Sequence, residues 1–217
     1  MNKFKIKHQV STFNPAGLLS GLFFFFFTSH SFAFLGVNET AELIPAGQYR
    51  VGYIPQNYLG NGGGLENGMF LDIPIDQDIN SRVELGFGVT DFWASGSIKW
   101  IPIPDYQNQP AMGLRGKIIL AREMTDSFFN TQITPMLSKK YKTDRGTFIP
   151  YTGLPITLIY ENSTKNTNTT QFCFGSEWVV SPKFQMGAEI DLSISGDTNM
   201  LSLYFNFQFD ERIGFKK

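Results

Sequence analysis

The stretch NMLSLYFNFQF, residues 199–209, constrains this chain more than any other. Leu201, Leu203, Phe205, Phe207 and Phe209 occupy the odd positions, and Ser202, Asn206 and Gln208 share the even ones with Tyr204. Strict period-two alternation makes a β-strand with one apolar and one polar face. The apolar face must meet a protein core, a bound apolar ligand, or lipid.

Similar alternation recurs along most of the chain, and no stretch carries a helical stripe. The segments 48–56, 92–103, 112–123, 128–137, 171–180 and 184–194 all read as strands. Leu71–Val89 reads as two strands broken at DQDINS (76–81), where turn-forming residues concentrate. The segment 147–160 is a strand interrupted by Pro150 and Pro155, residues suited to edges, bulges and strand ends. Glycine-rich 57–68, PDYQNQP (104–110) and polar 161–170 read as loops. The total is ten antiparallel strands of about ten residues each, with eight or twelve as alternatives. Strands of about 9–11 tilted residues are what a membrane barrel requires.

At the N-terminus, Lys3, Lys5, Lys7 and His8 precede the apolar run GLLSGLFFFFF (17–27), which is too short to span a bilayer. Ser31 and Ala33 then occupy the minus-three and minus-one positions of a cleavage site. The expected organisation is a signal peptide over 1–33, a leader over 34–46, a barrel domain over 47–210 and a tail over 211–217. Cleavage removes three lysines and no acid from a chain whose net charge is already −1, so the mature protein has no electrostatic footprint for nucleic acid. It also removes both histidines. Imidazole-based proton transfer is thereby excluded from the mature chain. Cys173 is the only cysteine, so neither an intramolecular disulfide nor a cysteine-based zinc site is expected.

The polar strand faces carry Arg50, Asp72, Arg82, Glu84, Lys99, Arg115, Lys117, Glu177, Glu189 and Asp191. In a barrel with an apolar exterior these residues form a lumenal charge network, either lining a selective pore or plugging a narrow one with salt bridges. In a water-soluble sheet they would be a solvated face. The alternative to a membrane barrel is therefore an exported soluble β-barrel that binds an apolar ligand inside. Lipid is favoured because no amphipathic helix is available to cover the apolar faces, and closure in a membrane satisfies both faces and edges. Trp93, Tyr106, Tyr151, Tyr160 and Trp178 recur near strand ends, as girdle aromatics do. The pair Glu189 and Asp191 has a spacing compatible with paired catalytic acids, but salt bridging to lumenal cations is the expected use. Calcium on 72–80 and phosphate on 60–68 are set aside, since the first alternates as strand and turn and the second lacks the lysine and helix of a phosphate loop. No cofactor, metal or catalysis is expected.

The segments KWIPIPDYQNQPAMGLR (99–115), SKKYKTDRGTFIPYTGLPI (138–156), GSEW (175–178) and GAEIDLSIS (187–195) resemble a family of uncharacterised outer-membrane β-barrel proteins of Gram-negative bacteria. That resemblance implies location and fold and no reaction. Its expected partners are outer-membrane lipid and the barrel-assembly machinery. Phe205, Phe207 and Phe209 also resemble the C-terminal signal for insertion, with the departure that DERIGFKK follows Phe209.

Overall fold

A computed structural model describes residues 36–59, 63–123, 126–161, 167–195 and 199–210. The expected signal peptide and tail lie outside the described residues. The strands are β1 (Gln48–Tyr58), β2 (Leu65–Pro74), β3 (Ile79–Gly88), β4 (Phe92–Ile103), β5 (Ala111–Glu123), β6 (Asp126–Ser138), β7 (Tyr141–Thr143), β8 (Gly146–Gly153), β9 (Ile156–Glu161), β10 (Thr167–Ser181), β11 (Phe184–Ser195) and β12 (Met200–Asp210).

Each strand pairs antiparallel with its neighbours, and β12 pairs with β1 from Gln48↔Asp210 to Tyr58↔Met200, which closes the sheet. β8 and β9 share one place in the wall, both lying between β6 and β10. β7 is a short hairpin arm outside the ring, paired with β8 alone among the described residues. The wall therefore has ten places, as the alternation predicts. The break between β8 and β9 falls at Leu154 and Pro155, where proline cannot donate to a ladder and the backbone N–H of Leu154 is instead held by the Pro135 carbonyl at 3.1 Å.

Outward positions are apolar: Val83, Ile98, Ile118, Ile133, Phe174 and Phe207 are all exposed. Inward positions are polar or aromatic. Full closure leaves no free edge, and the hydrogen-bonded wall satisfies its own backbone, so this arrangement tolerates an apolar solvent on its outer face.

Three expectations require correction. Glycine-rich 57–68 is not all loop: β1 runs to Tyr58 and β2 begins at Leu65, with Glu66 buried and accepting hydrogen bonds from the Thr90 N–H at 3.0 Å and Trp93 Nε1 at 2.8 Å. The polar run 161–170 is partly strand, because β10 already starts at Thr167. Trp93 and Tyr151 are not girdle residues; both are 2% exposed and face inward. Their parity explains it: Trp93 alternates with Ser95, Ser97 and Lys99, the polar side of β4. Tyr160 and Trp178 do face outward, and Tyr106 is exposed in a loop.

Candidate functional site

Ten side chains that the polar faces single out converge in the lumen: Arg50, Asp72, Arg82, Glu84, Lys99, Arg115, Lys117, Glu177, Glu189 and Asp191 are all buried, at 0–4% exposure. Alternation alone accounts for this, since each lies on the inward parity of its strand. The apolar residues of β12 take the opposite parity, and Leu201, Leu203, Phe207 and Phe209 are exposed.

The charges do not mix evenly. All five cations sit on β1, β3, β4 and β5. Asp72 is clamped between two of them, with Arg50 Nε at 2.7 Å from Oδ2, and Arg82 Nε at 2.5 Å from Oδ1 and Nη2 at 2.9 Å from Oδ2. Glu84 takes Lys117 Nζ at 2.5 Å and the Ser95 hydroxyl at 2.7 Å. Lys99 and Arg115 stand directly opposite each other on β4 and β5. Like charges in that position repel and require an acid between them.

That acid comes from the leader. Residues 36–44 lie within the lumen, and Val37, Asn38, Glu39, Thr40, Ala41 and Ile44 are buried there. Glu39 places Oε1 3.0 Å from Arg115 Nη1 and Oε2 2.8 Å from Lys99 Nζ, with Arg82 Nη2 at 3.9 Å. Cations also donate to leader carbonyls: Arg115 to Val37 at 2.8 Å, Arg82 to Asn38 at 3.0 Å, and Lys99 to Thr40 and Glu42 at 2.9 and 2.8 Å. On the other side, the N–H groups of Val37 and Asn38 each donate to Glu189 at 2.7 Å. Glu39 was missed because no periodicity marks the leader; the signal available was the Lys99/Arg115 pair, which no acid on the strands neutralises.

The leader crosses the lumen lengthwise. Gly36 lies by Met200 and Gln56, near the rim where β1 ends and β12 begins. Glu42 reaches Ser138 and Lys140 at the other rim. A turn from Pro45 to Gln48, closed by Gln48 N–H to Pro45 carbonyl at 3.1 Å, then feeds β1. Gly47 at φ 76° supplies the positive dihedral such a turn requires at its third residue.

Opposite the cations, β10 and β11 carry Glu177, Glu189 and Asp191. Space here is set by glycine: the ring of Tyr151 lies over Gly175 and that of Tyr204 over Gly187, directly across their ladders, where any Cβ would collide with them. Tyr151 donates to Glu189 at 2.7 Å. The expectation that Glu189 and Asp191 are salt-bridged fails among the described residues. Glu189 is satisfied by neutral donors, and neither carboxylate oxygen of buried Asp191 has a partner.

A polar, ion-paired interior and an apolar exterior overturn the soluble alternative, whose ligand cavity would need the reverse. The fold and lumen define a membrane-type β-barrel with an occupied lumen. No family model and no curated protein matches the chain. Among solved structures it is similar to the β domain of the Bordetella autotransporter BrkA (11% identity, 76% of this chain and 100% of that one, TM-score 0.49). It is also similar to an outer-membrane channel from Pseudomonas putida F1 (9% identity, 78% and 98%, TM-score 0.48) and to the translocator domain of the autotransporter NalP from Neisseria meningitidis (10% identity, 78% and 90%, TM-score 0.46).

Proposed function

We propose that this protein is a structural outer-membrane β-barrel, exported through a signal peptide cleaved after Ala33 and inserted by the barrel-assembly machinery, whose leader seals the lumen against solute flow. The observation that carries the reading is the seating of Glu39 between Lys99 and Arg115. A segment fixed by side-chain ion pairs and by hydrogen bonds through its own backbone on two sides occupies the path a solute would take. Burying that many charges is tolerable only when they are mutually paired, so the network favours an occluded resting state over a wet pore.

Planar-bilayer recordings test the sealing. The full-length processed protein is expected to give no steady conductance, and Glu39→Gln is expected to give intermittent openings as the leader loses its anchor. A wild-type protein that conducts steadily would overturn the reading in favour of a constitutive pore. Detergent extraction, followed by electrophoresis with and without boiling, tests the membrane barrel itself: the closed form should migrate differently from the boiled chain.

A further inference from the structure

Asp191 is fully buried, and neither of its carboxylate oxygens has a partner among the described residues. A carboxylate in that position requires a cation or a proton. The strands around it, β10, β11 and β12, contain no lysine or arginine. What surrounds it is decided by register. Cys173 stands directly across the β10–β11 ladder from Asp191, and Glu189 lies two residues along β11 on the same inward face. All three are buried, and their ligand atoms, the Cys173 Sγ and one oxygen of each carboxylate, lie within 4.8 Å of one another.

We propose that Cys173, Glu189 and Asp191 bind one zinc ion inside the lumen. A single cysteine rules out the multi-cysteine sites that sequence spacing reveals, and here the register brings two carboxylates to that cysteine instead. Sulfur selects against calcium and magnesium, which take larger sets of oxygen ligands, and favours a borderline-soft divalent ion. Ligands about 2.0–2.3 Å from tetrahedral zinc lie about 3.3–3.6 Å apart, so the three atoms close on the ion through side-chain shifts of about 1 Å. As the Zn–S bond forms, the Cys173 thiol releases its proton to solvent.

Glu189 is already oriented for this role. Its Oε1 accepts from the Val37 N–H, and its Oε2 accepts from the Asn38 N–H and the Tyr151 hydroxyl, each at 2.7 Å. An ionised carboxylate offers about four lone-pair sites, so three donors leave one on Oε1 for a metal. A thiolate and two carboxylates exceed the charge of the ion by one, and the same three donors offset that excess. Tyr151 thus holds a ligand in place as the outer partners of metal ligands do. Water takes the fourth position on the ion.

The test uses the full-length protein purified from membranes. A second sample is unfolded and refolded into detergent with zinc ions present, so that entry to the lumen does not limit loading. Both are dialysed against metal-free buffer, and zinc per chain is measured by elemental mass spectrometry. The refolded wild type is expected to hold one zinc ion per chain, and to show a thiolate charge-transfer band when refolded with cobalt(II) instead. Cys173→Ser and Asp191→Asn should each lose the stoichiometric ion, and Tyr151→Phe should weaken zinc binding about 10–100-fold against a competing chelator. Electrophoresis with and without boiling shows which variants have closed, and the cobalt band identifies the sulfur ligand in wild type should a variant fail to fold. A closed wild-type barrel that retains no zinc after refolding with it would overturn the site and leave Asp191 to a proton. Zinc retained equally by wild type, Cys173→Ser and Asp191→Asn would overturn it as an adventitious ion only. Sealing of the lumen is decided separately, by conductance.

Discussion

The two facing walls of the lumen are built from the same alternation and neutralised in different ways. On β1 and β3–β5, cations outnumber the acids placed among them, and Glu39 from the leader supplies the counter-ion that Lys99 and Arg115 share. On β10 and β11, acids stand with almost no cation: Glu177 has Arg50 at 3.6 Å, Glu189 has only neutral donors, and Asp191 has no partner among the described residues. A peptide segment can bridge such a polarised space, because its carbonyls serve the cationic wall and its N–H groups serve the acidic one. The lumen thus orients its plug through backbone dipoles as much as through one glutamate.

The largest effect should come from removing the charge on the cationic side. Glu39→Gln keeps the shape of the side chain and leaves Lys99 and Arg115, already opposed in the ladder, without their shared counter-ion. Breaking one member of a buried ion pair costs about 3–5 kcal/mol. Denaturant unfolding of the barrel in lipid vesicles should show a loss of that size. A loss below about 1 kcal/mol would mean that the leader is not what neutralises this wall.

This asymmetry was only partly legible in the sequence. Period-two alternation placed the wall, its closure by β12 on β1 and the inward set of charges, because a pleated strand leaves a side chain only two directions. Parity also contained Trp93, which shares the inward side of β4 with Lys99, although its position near a strand end suggested a membrane girdle. The leader was opaque for a physical reason: a segment held by its own carbonyls and N–H groups needs no side-chain period. Glu66 was hidden by the glycines around it, and the exclusive pairing of Asp72 with arginines could not be known before the register of β1, β2 and β3 was fixed.

A smaller effect is expected on the acidic wall. Glu189→Gln retains one acceptor oxygen and leaves no cation stranded, so the loss is confined to hydrogen bonds from Val37, Asn38 and Tyr151. A buried donor left unsatisfied costs about 1–3 kcal/mol. Relief of repulsion with Asp191 acts in the opposite direction. The same unfolding measurement should therefore rank Glu189→Gln clearly milder than Glu39→Gln. The reverse ranking would erase the distinction between the walls.

The smallest effect belongs to the rim, where the same chemistry is accessible to water. Asp105, in the loop between β4 and β5, accepts from Lys139 Nζ at 2.5 Å and from the Lys140 backbone N–H at 2.7 Å. Burial pushes its carboxyl up, but the hydrogen bonds and the positive charge of Lys139 and Lys140 outweigh that and hold it below the ordinary aspartate range. A carboxylate held low in the folded state stabilises it above the unfolded pKa, about 3.9, and that contribution disappears as pH falls through the lower folded value. Melting of wild type and Asp105→Asn should accordingly differ by a small, constant amount from pH 7 to about pH 5. The gap should then close in more acidic buffer, where lumenal carboxylates common to both proteins still titrate together. Raising the salt concentration should shrink the rim gap at neutral pH, since mobile ions reach this part-buried pair at the rim more readily than the lumen, and should leave the Glu39→Gln loss nearly untouched. If salt weakens both alike, ions reach the cationic wall and the leader does not exclude them.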